Sequence, residues 1–159
     1  QYMHHKSDAE LAEIYQPILR EHGIEVSDQT AGFVAGIMKE RASFITDLWD
    51  LTSYFFVAPT SYEEKQAKKY WKGENPARLA ELREVLAAID DFSLENTEKV
   101  VGEWIAAKEY GMGQIMNTLR LALVGAVKGS GMYDVTAFLG KEECLKRIDY
   151  VLANLKPME

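Results

Sequence analysis

Apolar residues recur every three or four positions along most of the chain, and no segment alternates convincingly with period two. That pattern predicts helices from end to end and an all-α fold. Ser7 and Glu10 stand at capping-box spacing, where each side chain satisfies the other's free backbone N–H. Leu11, Ile14, Tyr15, Ile18 and Leu19 then repeat at helical steps, with Gly23 as the stop. Pro17 falls inside this run and predicts a kink or an interruption. Ser27 and Asp28 open a second helix that places Phe33, Val34, Ile37 and Met38 on one face. A third runs from about Phe44, burying Ile45, Leu48, Trp49 and Phe56, until Pro59 ends it.

Ser61 and Glu64 repeat the capping-box spacing. Asn75 before Pro76 predicts an N-cap followed by proline at the first helical position. Asp90, Asp91 and Ser93 break the chain, and a helix carrying Val100, Val101, Trp104 and Ile105 then runs to Gly111. From Gln114 to Ile148 the pattern reads as a helix, a glycine-rich loop with a hydrophobic tip, a short helix and a final capped helix. Lys72 to Pro76 joins turn residues to a fresh helix start, which marks the internal boundary. The expected organisation is two consecutive small helical bundles, residues 1–74 and 75–159, with no internal repeat.

Composition changes this picture little until charge is followed along the chain. With 47% hydrophobic and 27% charged residues in 159, the chain is globular. No apolar run approaches the roughly 20 residues of a membrane span, so no membrane partner is expected. A single Cys144 forms no internal disulfide, which makes a reducing cytoplasm the default location. The net charge of −7 argues against loose nucleic-acid binding, and any RNA contact must use a restricted patch. One stretch suits such a patch. From Tyr110 to Tyr133 there is no Asp or Glu, while Arg120 and Lys128 add positive charge.

Catalytic machinery is not visible. His4 and His5 are adjacent and lack a Cys, His or Asp cluster, so no metal site is expected. His22 near a helix end fits a dipole partner better than a base, and Glu142 and Glu143 fit the opening of a helix. Gly125, Lys128, Gly129, Ser130 and Gly131 have the composition of a phosphate loop, but not its order, and they follow a helix instead of a strand. Lys65, Lys68, Lys69 and Lys72 form a basic stripe whose acidic neighbours Glu63 and Glu64 mark it as a solvated face. Arg41 sits at the edge of an apolar helix face, where it complements the helix C-terminus or meets a ligand. Arg120 stands among Leu119, Leu123 and Val124 with no acid at i±3 or i±4, so it must reach solvent, a carbonyl or a ligand. Met132 and Tyr133 either plug the loop onto the core or offer a stacking surface to an unpaired base, worth roughly 1–3 kcal/mol per base.

The run L-R-L-A-L-V-G (Leu119 to Gly125), the loop ending G-M-Y (Gly131 to Tyr133), F-L-G-K-E-E (Phe138 to Glu143) and Arg147-Ile148 resemble the C-terminal anticodon-binding region of bacterial glutamyl-tRNA synthetases. K-E-R (Lys39 to Arg41) with Y-F-F (Tyr54 to Phe56) is similar to the first helical bundle of that region. Gln1 and Tyr2 resemble the tail of the segment joining it to the catalytic half. The resemblance implies an all-α cage of two helical subdomains that reads the anticodon loop of tRNA-Glu. It assigns anticodon contacts to Arg120, Gly129, Ser130, Met132 and Tyr133, and to Arg41 in the first bundle. Ser130 stands where the family has a loop proline, and Val124 where it has a threonine.

The family's ATP-binding signatures are absent from this chain. The resemblance therefore implies a region with no catalytic residue, no metal and no cofactor of its own, inactive alone. ATP and Mg2+ would belong to the parent enzyme, a glutamate–tRNA ligase. The anticodon cage of lysyl-type class I synthetases and a helical protein-interaction module are the alternatives, with an independent small enzyme behind them.

Overall fold

The computed structural model describes residues 6–38, 47–126 and 131–157. The described residues are helical and contain no strand, as the apolar spacing predicts. The chain divides into two compact units, Gln1–Val57 and Ala58–Glu159.

The first unit contains α1 (Asp8–Glu21), α2 (Asp28–Met38), α3 (Asp47–Thr52) and a 3-10 turn, Ser53–Phe55. Its capping box forms as expected: Glu10 N donates to Ser7 Oγ at 3.2 Å, and Ser7 N donates to Glu10 Oε1 at 2.9 Å. Pro17 does not end α1, which continues past it to Glu21. The proline lies on the exposed side with Glu13, where water can serve the carbonyl whose helical bond it deletes. Leu11, Tyr15, Leu19, Val34 and Leu48 make the core. Tyr15 donates its hydroxyl to Thr52 Oγ1, and Thr52 donates in turn to the Leu48 carbonyl. Burial pushes the Tyr15 phenol up to about 12 despite that bond.

The face of α2 differs from the expected one. Phe33 is 48% exposed, and the packed residues are Ala31, Val34 and Ala35. Gly32 and Gly36 explain the shift, because both meet the first turn of α1. A Cβ on Gly32 would stand 2.4 Å from the Asp8 carbonyl oxygen, and one on Gly36 would stand 2.7 Å from Asp8 Oδ1. The helices thus approach through their smallest residues, which rotates Phe33 outward. Gln16 braces the turn between them, donating to the Val26 carbonyl at 2.9 Å and to Asp28 Oδ1 at 3.0 Å.

The second unit contains α4 (Glu64–Tyr70), α5 (Asn75–Ala87), α6 (Leu94–Lys108), α7 (Met112–Val124), α8 (Met132–Leu139) and α9 (Lys141–Asn154). Helix α7 packs against α4, α5 and α9, while α8 lies on α6 and α9. The division of the chain falls at Val57/Ala58, whereas turn chemistry suggested 74/75. Helix α4 accounts for the difference. It buries Ala67 and Tyr70, with Trp71 following, and Trp71 Nε1 donates to the Leu155 carbonyl at 2.7 Å.

Two cap assignments also change. Glu63 precedes α4 with no side-chain cap, so the Ser61–Glu64 box does not form. Asn75 is the first residue of α5 and not its cap. Its amide is used elsewhere, donating to the Tyr70 carbonyl at 2.8 Å and to Gln114 Oε1 at 3.0 Å. Helix α6 stops at Lys108, short of Gly111, on a left-handed Glu109 with φ 58°.

Candidate functional site

The acid-free stretch runs along α7, whose residues Leu119, Leu121, Ala122 and Leu123 are fully buried. Arg120 stands among them, half-buried. Gly125 closes the helix at φ +92°, a left-handed conformation that favours glycine, and its N–H bonds the Leu121 carbonyl at 2.8 Å. Space makes the same demand. A Cβ there would lie 2.9 Å from Pro59 Cβ and 3.1 Å from the Ser61 carbonyl oxygen.

The Gly125 carbonyl accepts the Glu63 N–H at 2.8 Å, so the start of α4 is capped by the foot of the loop instead of by Ser61. A second tie comes from α9. Arg147 is 3% exposed, donates Nη1 to the Leu123 carbonyl at 2.8 Å, and donates Nε to Glu143 Oε2 at 2.7 Å. Its charge is thereby matched by a carboxylate and by the negative end of α7. Arg147 was not among the expected site residues. Its signal was the Glu143–Arg147 spacing on the same helix face as Cys144, Ile148 and Val151.

The loop returns at Gly131, whose carbonyl accepts from Asp134 N at 3.1 Å and Val135 N at 3.2 Å. Helix α8 starts at once, and the first two residues separate in role. Met132 is 5% exposed and belongs to the core. Tyr133 is half-buried, and burial, then the Glu98 carboxylate, pushes its phenol up to about 12. It stays a neutral donor across physiological pH. Of the two alternatives for this pair, plug and stacking surface, Met132 takes the first. Arg41, Gly129 and Ser130 lie outside the described residues, as does Lys128.

Other chemistry recedes. The lysines at 65, 68, 69 and 72 are exposed, with Lys68 paired to Glu64 at 2.8 Å. Cys144 is fully buried and its thiol is pushed up to about 12, which removes it as a nucleophile at neutral pH. His22 stacks on Trp49 with ring centroids 3.9 Å apart. Among the described residues no group of three or more His, Cys, Asp or Glu is placed to hold a metal. No described helix is long and apolar enough to cross a membrane.

Comparison with known proteins bears on this arrangement directly. Residues 8–152 match the family described as Anticodon binding domain. The glutamate–tRNA ligase of Phocaeicola vulgatus is 53% identical over 156 residues, covering 98% of this chain and 31% of that protein. That of Bacteroides fragilis is 50% identical over 155 residues, again 98% and 31%. Among solved structures, a glutamate tRNA ligase from Elizabethkingia meningosepticum superposes with a TM-score of 0.91 at 37% identity, covering 98% of this chain and 31% of that one. The glutamate-tRNA synthetase of Elizabethkingia anophelis gives 0.85 at 35% identity, covering 97% and 30%. The chain therefore spans about a third of the length of the relatives it matches.

Proposed function

From the premise that this chain belongs to the family of anticodon binding domains, we propose that it is the tRNA-reading region of a glutamate–tRNA ligase. The parent enzyme would attach L-glutamate to tRNA-Glu in the cytoplasm, using ATP and Mg2+ held by other parts of the protein. The single observation that carries this reading is the 53% identity to a glutamate–tRNA ligase over 98% of the chain. The relatives named above are all glutamate ligases, which favours it over a lysyl-type cage and over a protein-interaction module.

In this reading the partner is the anticodon loop of tRNA-Glu, whose unpaired bases can be splayed, stacked and read along their edges. Arg120 offers a planar fork that donates to two acceptors of one base. Tyr133 supplies a ring for stacking. Gly129 lets backbone approach a base closely, and Ser130 adds a hydroxyl where the family has proline. Met132 fixes the returning end of the loop by packing beneath it. Arg41 reads a further base from the first unit. The two compact units would serve as the two helical subdomains of the cage. In this reading metal and nucleotide chemistry is assigned to no residue of this chain.

Binding of a tRNA-Glu transcript, compared with the same transcript carrying an altered anticodon, tests the proposal. The wild-type chain should prefer the cognate anticodon. Arg120→Ala should reduce that preference about tenfold, the worth of a hydrogen bond to a charged donor. Equal binding of both transcripts by the wild type, or an unchanged preference in Arg120→Ala, would overturn it.

A further inference from the structure

A cleft of about 600 Å³ opens between α5 and α6, lined by Val85, Ala88, Val100 and Trp104, with Asp90 and Asp91 from the turn that joins the two helices. None of these residues serves the anticodon reading. On α6, Val100 and Trp104 lie four apart and share one stripe of the helix. The adjacent stripe, Thr97, Val101 and Ile105, is buried in the core. Val85, Val100 and Trp104 are only half-buried and Ala88 is exposed. The fold thus leaves an apolar strip in contact with water beside a stripe that it buries.

Trp104 is braced within that strip. Its ring meets Tyr110 edge-on with centroids 5.4 Å apart. The Arg78 guanidinium lies 4.1 Å from the centre of the Tyr110 ring, and the Tyr110 hydroxyl donates to the Glu81 carboxylate at 3.0 Å. A ring held this way loses little freedom when a partner covers it. The cations of this corner are already taken, Arg78 by Glu74 at 2.9 Å and Lys108 by Glu81 at 3.8 Å.

Charge selects the occupant. No Lys or Arg lines the cleft, and among the described residues neither Asp90 nor Asp91 forms an ion pair. Asp91 Oδ1 accepts the Ser93 N–H at 3.1 Å, and both carboxylates are exposed. Two such carboxylates repel phosphate, which sets RNA aside, and attract Lys or Arg. The cleft is also open to solvent, whereas a free small molecule needs a site that encloses most of its surface. A groove between neighbouring helices, apolar along its floor and acidic at the turn, fits an amphipathic helix with basic residues.

We propose that this cleft docks a basic amphipathic segment of a partner protein. Its apolar side chains pack on Val85, Val100 and Trp104, and its Lys or Arg meets Asp90 and Asp91. A braced tryptophan at the centre of such a contact carries a large share of the binding. The surface goes beyond the anticodon reading and does not depend on it.

The probe is a fluorescent helical peptide with leucine on one face and lysine on the other, added to the 159-residue chain. Two controls replace lysine by glutamate, or leucine by serine, and each should bind about tenfold more weakly or worse. Trp104→Ala should weaken binding of the leucine–lysine peptide about tenfold or more, the effect of a hot-spot residue. Asp90→Lys lies at an exposed position and carries the test whatever Trp104→Ala does to the fold. It should weaken binding about fivefold and flatten its salt dependence. Neither variant should change the preference for a cognate anticodon, so loss of that preference in the wild type would leave the docking result standing. Equal binding of the serine–lysine peptide, or unchanged binding in Asp90→Lys, would overturn the proposal in favour of non-specific attraction. Displacement of the peptide by spermidine would assign the cleft to a free polycation instead. A dimer of the chain that Trp104→Ala abolishes would assign it to a second copy. Peptide binding by this chain but not by the ligase that contains it would assign the cleft to the rest of that enzyme.

Discussion

The two units differ in what brings their helices closest together. In the first, α1 and α2 meet with almost nothing between them, since Gly32 and Gly36 bring α2 against Asp8. In the second, buried polar side chains reach across to carbonyls at chain ends and turns. Arg147 reaches Leu123, Trp71 reaches Leu155, and Lys141 donates to the Ala87 and Ile89 carbonyls at 3.3 and 2.6 Å. Backbone contact makes a rigid pair and leaves no adjustable part. Side-chain ties fix the place where a helix stops, and therefore where a loop begins. The acid-free loop springs from such a tie.

Removing the tie should produce the largest effect. Arg147→Ala leaves the Glu143 carboxylate and the Leu123 carbonyl without their partner and opens a void in the core. Glu143 remains 34% exposed, so water recovers part of the loss. The expected cost is about 3 kcal/mol, the low end for breaking a buried pair. Urea unfolding measures it, and hydrogen exchange should locate faster opening at the end of α7 and along α9. A cost within error of zero would mean that the loop's footing does not depend on this guanidinium.

What could be read beforehand follows the same contrast. Local signals were legible. The Ser7–Glu10 box forms, Ser27 accepts the Thr30 N–H at 3.1 Å, and Ser93 caps α6. Ser61 is no cap because α4 begins at Glu64 with Glu63 as its N-cap, two residues past the expected start, and the Glu63 N–H is held from the far side of the unit by the Gly125 carbonyl. The ties of Arg147 and Trp71 join residues separated by 24 and 84 positions, which no spacing rule announces. Arg120 was conspicuous because its helical neighbours include no acid. The distinction between Met132 and Tyr133 depended on where α8 begins, since its first residue turns inward. In α2, apolar weight pointed to Phe33, while the informative residues were Gly32 and Gly36, four apart.

Those glycines supply the next effect. Gly32→Ala places a methyl 2.4 Å from a backbone oxygen, and only a shift of α2 from α1 relieves it. The expected cost is about 2 kcal/mol, typical of overpacking. At Gly36 the obstacle is Asp8 Oδ1, the free end of an exposed side chain that can turn away. The same substitution there should be near neutral, because alanine also gains about 1 kcal/mol in helix propensity over glycine. Exchange rates of α1 and α2 amides distinguish the two variants. If Gly36→Ala proves the more damaging, the close approach is not where the glycines place it.

The smallest effect concerns acid. Asp149 bridges α9 to α5, and its hydrogen bond from Arg83 holds the carboxyl below its ordinary value of 3.8. In the first unit Glu10 is held below 4.5 chiefly by the Ser7 backbone N–H. Both groups are favoured in the charged form by the fold. Their contribution is therefore complete above those ordinary values and is lost as pH falls through the lower native titrations. Both sites are exposed, so each contribution is small. They differ in kind, however. The Arg83–Asp149 bond joins two charges and should weaken as salt approaches about 1 M, where screening reaches about 3 Å. The Ser7–Glu10 bond joins one charge to a backbone amide and should persist. Asp149→Asn should thus flatten the fall in melting temperature between about pH 5 and pH 3 at low salt and change little at high salt. Glu10→Ala, which removes the carboxylate and leaves the Ser7 hydroxyl cap, should lower the melting temperature under both conditions. Equal salt sensitivity in the two variants would show that the second unit's cross-helix pair is no more electrostatic than the first unit's cap.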